Sequence, residues 1–287
     1  ETAIKNMLKA NPAPLMHKQN VNLIKTGNLD DDLGMLAECD LIIEAVIENL
    51  EIKQVLYKQI DTVRKAGSII TSNTSTIPLA KLMNGLTDDF ARDFAITHFF
   101  NPPRYLRLLE VVAGPHTRTD AITALQTFCD RALGKSVVHC KDTPGFIANR
   151  IGILWTTCAI RFAFEDQLTV EEADAIVGRP MGIPKTGVFG LMDLVGIDLQ
   201  PHVSASMLSS LPPQDMFRDL HQDSELIARM IREGYTGRKG KGGFYRLNRT
   251  AGKRIKESLD LQTGEYRTAQ KADLASIGVG RKGLRAL

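Results

Sequence analysis

His98 ends the apolar run Asp93-Phe-Ala-Ile-Thr-His98 and precedes Phe99-Phe100-Asn101-Pro102-Pro103, a turn that leaves groups at a strand end exposed. The next apolar run, Arg107 to Val112, holds a single carboxylate, Glu110. A reversal about Arg104 sets residue 98 opposite residue 110 in antiparallel register, because both lie equally far from that midpoint. An imidazole beside a carboxylate has its tautomer fixed and its protonated form favoured, which makes it a better acceptor for an alcohol proton. The plain alternative is a His/Glu pair that ties two strands together. Ligands of open α/β sheets bind at strand ends, and that position favours the chemical reading.

Other residues carry weaker signals. Ser72-Asn73-Thr74-Ser75-Thr76 follows a buried strand, and its short side chains suit hydrogen bonds to a ligand or the cap of the next helix. Glu48 stands just after the strand ending at Val46, placed to meet a ribose or the positive end of the helix it opens. Lys53 reads by itself as a solvated helix residue. Asn149 lies one turn into the first helix of a second domain and reads either as a surface group or as one that faces a ligand cleft. The stretch from Gly234 to Tyr245 offers backbone amides with Arg238, Lys239 and Lys241 to a phosphate, or is simply a basic turn. It lacks P-loop order, so nucleotide hydrolysis is a poor fit. His17, His116, His139, His202 and His221 have no metal-ligand spacing, and no metal site is expected.

These residues need elements to hold them. Asp40-Leu-Ile-Ile-Glu-Ala-Val46 is an apolar run without alternation, as in a strand covered on both faces. Helical spacing follows from Glu48 to Arg64, then a strand over Ser68 to Thr71, a helix over Ile77 to Leu86, the two runs around His98 and Glu110, a helix over Thr119 to Leu133 and a strand over Ser136 to Cys140. The expected fold class is α/β, a Rossmann-like doubly wound and mostly parallel sheet with antiparallel edge strands, followed by an all-α C-terminal domain. The boundaries drawn are 1–142, 143–246 and 247–287. In the second domain the first helix is expected to bury Phe146, Ile147, Ile151, Leu154, Cys158 and Phe162, and Thr169 with Glu172 suggests a capping box. From Leu247 on, nine Lys or Arg against four Asp or Glu read as a basic tail or linker.

With 287 residues, 43% hydrophobic and 24% charged, the chain suits two ordinary cores. A formal charge of +3 without a basic, aromatic-laced block gives no sign of a nucleic-acid partner. No apolar run is long enough to span a bilayer. The four cysteines, Cys39, Cys129, Cys140 and Cys158, are scattered, which suits a reducing compartment and a cytoplasmic location. The sequence opens on Glu1 inside what reads as a running helix, so the expectation is a piece of a longer protein.

Several of these segments, in this order and spacing, resemble 3-hydroxyacyl-CoA dehydrogenase: Asp40 to Leu50, Ser72 to Ser75, His98 to Pro102, Leu109 to Val112, Lys141 to Arg150 and Gly240 to Tyr245. The resemblance spans residues 28–245. The stretch from Arg179 to Asp198 is most similar to the dehydrogenase part of bacterial multifunctional fatty-acid-oxidation proteins. What the resemblance implies is oxidation of (S)-3-hydroxyacyl-CoA to 3-oxoacyl-CoA with NAD, in fatty-acid β-oxidation. It implies His98 as the base, oriented by Glu110, with Ser75 and Asn149 bonded to the substrate. Glu48, Lys53, Ser75, Asn101 and Lys239 would approach NAD, and Lys5, Lys9 and Lys18 are candidates for the acyl-CoA phosphates. It also implies a homodimer through the helical domain, a hinge at Asp142 to Asn149 and a fused or associated enoyl-CoA hydratase. The family's first strand, its G-x-G-x-x-G turn and a following acidic residue would precede Glu1. The expectation is that residues 1–287 alone bind NAD poorly, which micromolar affinity in a titration would contradict. Two further readings stay open: a related small hydroxy-acid dehydrogenase using a lysine of the second domain, and a non-catalytic scaffold in a larger assembly.

Overall fold

Runs of apolar residues without alternation become strands covered on both faces, and the structure builds them into one sheet. The computed structural model describes residues 2–183, 185–249 and 254–273. It divides into two units, Glu1–Ile147 and Ala148–Leu287. The first contains α1 (Thr2–Lys9), β1 (Leu41–Glu44), α2 (Leu50–Val63), β2 (Ile69–Ser72), α3 (Leu79–Leu82), α4 (Asp88–Asp93), β3 (Phe94–Phe99), β4 (Leu108–Ala113), α5 (Thr119–Arg131) and β5 (Ser136–Cys140). Strand order is β1-β2-β3-β4-β5. The β1–β2, β2–β3 and β4–β5 pairs are parallel and β3–β4 is antiparallel, so β4 and β5 form the reversed edge expected from the sequence.

Alternating side chains of β3 and β4 feed two separate cores. Phe94, Ile96 and Val112 pack with Leu56, Tyr57, Ile60 and Phe90. Ala95, Leu109 and Val111 pack with Leu125 and Cys129. Tyr57 lies 5.3 Å edge-on to Phe94 and 5.7 Å from Phe90 by ring centroids. Each large side chain buried in this way contributes about 2 kcal/mol.

Local signals set the element ends. The Asn49 side chain accepts the Ile52 amide and starts α2, so Glu48 lies outside the helix that it was expected to open. The helix expected over residues 77–86 shortens to the four residues of α3, because Pro78 sets its start and Gly85 at φ 77° turns the chain away. Thr87 then caps α4, which the sequence reading did not separate from the following strand. The unit boundary falls after Ile147 rather than Asp142. Asp142 accepts the Leu79 and Ala80 amides at 2.8 and 3.2 Å, and Phe146 is buried in the sheet's core.

The second unit contains α6 (Ala148–Glu165), α7 (Val170–Ile176), α8 (Phe189–Val195), α9 (Leu199–Ser210), α10 (Met216–Leu220), α11 (Glu225–Arg232), β6 (Tyr245–Asn248), β7 (Ile255–Leu259) and β8 (Tyr266–Thr268). Thr169 and Glu172 make the expected capping box on α7. The buried face of α6 is Thr157, Ala159, Ile160 and Ala163, whereas Ile147, Ile151 and Phe162 are exposed. The expected buried side of that helix is therefore corrected: Ile151 and Ile160 stand about half a turn apart at roughly 100° per residue, and only the second meets the core. The basic tail is corrected as well. Strands β6, β7 and β8 form an antiparallel sheet, and Leu259 and Leu261 join Phe189, Phe244 and Ile227 in the core. Charges of the expected tail are paired, Arg267 with Glu171 at 2.8 Å and Glu257 with Arg246 at 2.7 Å. Residues 274–287 of the expected tail lie outside the described residues.

Candidate active site

The β3–β4 register pairs His98 with Glu110, and their side chains meet: His98 Nδ1 lies 2.8 Å from Glu110 Oε2. The other oxygen of Glu110 accepts the Ile147 amide at 2.9 Å. A carboxylate receiving at both oxygens is an acceptor, so Nδ1 carries the proton and the Nε2 lone pair is left to act as a base. No hydrogen bond among the described residues engages Nε2. Phe100 and Phe146 flank the imidazole at centroid distances of 4.5 and 5.6 Å, and His98 is 6% exposed. Phe146 follows Gly145 with both residues at positive φ, 73° and 49°. For a phenylalanine that conformation is strained, and here it coincides with the turn that brings the Ile147 amide to Glu110. Cys140 lies beside the same carboxylate. Burial and then the charge of Glu110 push its thiol up to about 11, so it stays protonated and unreactive.

The end of β2 lies on the same edge. Asn73 Oδ1 accepts the Phe99 amide at 2.9 Å and ties this loop to the His98 strand. Glu48 Oε1 gathers the loop: it accepts the Thr74 hydroxyl at 2.6 Å, the Ser75 amide at 3.0 Å and the Thr76 amide and hydroxyl at 3.1 Å. Burial works against the Glu48 charge, but these bonds and the Lys53 charge outweigh it and hold its pKa below the ordinary glutamate value. The Ser75 side chain is half-buried, and its hydroxyl has no hydrogen-bond partner among the described residues. Asn101 is exposed in the β3–β4 turn.

Lys53 departs from its reading as a solvated residue. It is 1% exposed, and its amine meets Glu44 Oε1 at 2.8 Å, the Val46 carbonyl at 3.4 Å and Glu48 Oε2 at 3.4 Å. Glu44, which the sequence reading passed over, sits at the centre of the cluster. Its second oxygen accepts the Tyr57 hydroxyl at 2.6 Å and the Ser72 hydroxyl at 2.7 Å. One signal pointed to it: a carboxylate inside an apolar strand must find partners when buried.

The remaining candidates belong to the second unit. Asn149 is half-buried in the first turn of α6. Lys239 is exposed in the glycine-rich turn, and its amine is 2.8 Å from Asp198 Oδ1. Lys241 donates to the Glu233 carbonyl at 2.9 Å. These internal partners weaken the phosphate-cradle reading of the turn. Asp193 anchors it, accepting the Phe244 and Tyr245 amides at 2.8 Å each, and a side chain on Gly243 would collide with that carboxylate. Asp174 similarly accepts the Phe189 and Gly190 amides and the Tyr245 hydroxyl. Among the described residues no group of three or more His, Cys, Asp or Glu is placed to hold a metal ion.

Residues 1–143 match the model of the 3-hydroxyacyl-CoA dehydrogenase NAD binding domain, and residues 145–247 match that of the 3-hydroxyacyl-CoA dehydrogenase C-terminal domain. A Rickettsia felis protein with the provisional name fatty acid oxidation complex trifunctional enzyme is 42% identical over 96% of this chain, which spans 38% of that protein's length. The mitochondrial hydroxyacyl-coenzyme A dehydrogenase of Rattus norvegicus is 31% identical, with 86% of this chain matching 77% of that one. The crystal structure of M. tuberculosis FadB2 superposes with a TM-score of 0.74 at 28% identity, over 86% of this chain and 85% of that one.

Proposed function

The chain belongs to the 3-hydroxyacyl-CoA dehydrogenase family, and we propose that the polypeptide carrying it oxidises (S)-3-hydroxyacyl-CoA to 3-oxoacyl-CoA with NAD. The observation that carries this reading is the His98–Glu110 pair, with Nδ1 committed to the carboxylate and Nε2 left as a base at the sheet edge. Nε2 takes the proton of the 3-hydroxyl as the alcohol becomes a ketone, and Glu110 stabilises the imidazolium that forms. Ser75 offers to the substrate oxygen a hydroxyl that has no hydrogen-bond partner among the described residues.

The donor set at this edge fits the nicotinamide end of NAD. Glu48 keeps a side chain 36% exposed, able to accept a ribose hydroxyl, and Asn101 presents an exposed amide. When bound, NAD supplies the acceptor for the hydride that leaves C3. Lys53 stands behind Glu48, with its amine 3.4 Å from Glu48 Oε2, and is assigned to NAD on the family motifs. Asn149 and Lys239 are assigned to substrate and cofactor on the family motifs alone. A β-oxidation setting and an enoyl-CoA hydratase partner are supported by the trifunctional name of the Rickettsia felis relative. The exposed Ile151 and Phe162 of α6 suit a homodimer through the second unit. Among the described residues no helix is long and apolar enough to cross a membrane.

The test is substrate choice by the full polypeptide. The expected result is NAD reduction with (S)-3-hydroxybutyryl-CoA and none with free 3-hydroxybutyrate. Equal turnover of the free hydroxy acid would favour the small hydroxy-acid dehydrogenase reading and reject this one.

A further inference from the structure

Glu44 is enclosed at the end of β1 with a side chain 0% exposed, yet it receives four donors. The Val46 amide at 2.6 Å and the Lys53 amine at 2.8 Å occupy Oε1, and the hydroxyls of Tyr57 and Ser72 occupy Oε2. A charge withdrawn from water to this extent persists only when such partners surround it. The partners do more than neutralise it, because two of them lead outward. Lys53 carries the network to Glu48 Oε2 at 3.4 Å, and Glu48 Oε1 holds the backbone of Ser75 and Thr76. Ser72 belongs to the strand that delivers the same loop, and its hydroxyl also accepts the Thr74 amide at 3.2 Å.

We infer that Glu44 and Tyr57 are positioning residues that fix the Thr74–Thr76 loop through Lys53, Glu48 and Ser72, so that the Ser75 hydroxyl stands ready for its ligand. The inference rests on the dehydrogenase reading, in which Ser75 meets the substrate. Tyr57 is the informative member. Its ring belongs to the aromatic core with Phe90 and Phe94, and its hydroxyl ties that core to Glu44. Burial, followed by the hydrogen bond to Glu44, raises the phenol's pKa well above the ordinary tyrosine range, so it remains a donor at every working pH. Losing that donor leaves Oε2 with Ser72 alone and slackens the line to Glu48, while the packing of the ring is kept.

A double-mutant cycle in the full polypeptide tests this, using Tyr57→Phe, Ser75→Ala and the pair, with acetoacetyl-CoA and NADH as probes. In the parent background Tyr57→Phe is expected to lower kcat by about tenfold, in keeping with the effect of small misplacements on reacting groups. In the Ser75→Ala background, with NADH saturating so that a change at the Glu48 ribose contact is read in KM, Tyr57→Phe is expected to alter kcat by less than about twofold, because the line to Ser75 has nothing left to position. Ser72→Ala, which removes the other donor to Oε2, is expected to follow the same pattern. An equal loss from Tyr57→Phe in both backgrounds, or no loss in either, overturns the inference. If that happens while Ser75→Ala itself impairs turnover, the relay fails and the Ser75 contact stands. If Ser75→Ala leaves turnover unchanged, the substrate contact and the relay built on it both fail.

Discussion

His98 Nδ1–H and the Ile147 amide converge on Glu110, and each takes its own oxygen. Glutamine at that position offers one oxygen and turns an NH2 group toward the second donor. Glu110→Gln is therefore expected to loosen the imidazole and lower kcat by about 10²-fold or more, with little change in KM. Steady-state kinetics on acetoacetyl-CoA check it, and a kcat within about twofold of the parent would contradict the orienting role. This pair was legible in the sequence because the reversal at Arg104 sets the register by symmetry, and the structure repeats that register. The partners of Lys53 were not legible. A lysine on an amphipathic helix is usually solvated, and nothing in its own neighbourhood announces that β1 supplies Glu44 while the loop after it supplies Glu48. Glu48 was placed at the right strand end, but its hold on Thr74, Ser75 and Thr76 spans a separation that spacing along the chain does not display.

Among the elements, the sheet strands were readable from their unbroken apolar runs, whereas β6, β7 and β8 were hidden by charge. Lys and Arg from Leu247 onward suggested solvation, yet Arg267 pairs with Glu171 of α7, Glu257 pairs across the sheet with Arg246, and Leu259 and Leu261 go to the core. Two buried carboxylates bind this region together. Asp174 holds the start of α8 and Asp193 holds the start of β6. Burial pushes both from 3.8 up to about 6, against the amides and the Tyr245 hydroxyl that favour the charged form. Between those values the folded state binds protons that the unfolded chain has released, so this contribution to stability is complete below 3.8 and is lost as the pH rises through about 6. Urea unfolding followed by the fluorescence of Trp155, the sole tryptophan, which packs on the second unit's core, reads the effect. Compared with Asp193→Asn, the parent is expected to lose stability as the pH rises from about 4 to about 6. A parent-minus-variant difference that grows over that window would contradict the assignment.

For the whole molecule, the two family models match residues 1–143 and 145–247, while composition alone said only that the chain could build two cores. Sequence periodicity identified α6 as apolar but not which side meets a core, because a helix with Ile151 and Phe162 on one flank and Ile160 and Ala163 on another presents two apolar faces. Only tertiary packing decides between such faces. Turnover is the property to measure, and the full polypeptide is the protein to measure it on, since this chain spans 38% of the Rickettsia felis relative. The most direct measurement is acetoacetyl-CoA reduction by the full polypeptide carrying His98→Ala, with its melting temperature recorded alongside. The expected result is a fall in kcat of about 10²- to 10⁴-fold with an intact fold. Turnover at the parental rate would show that the proton of the alcohol goes elsewhere.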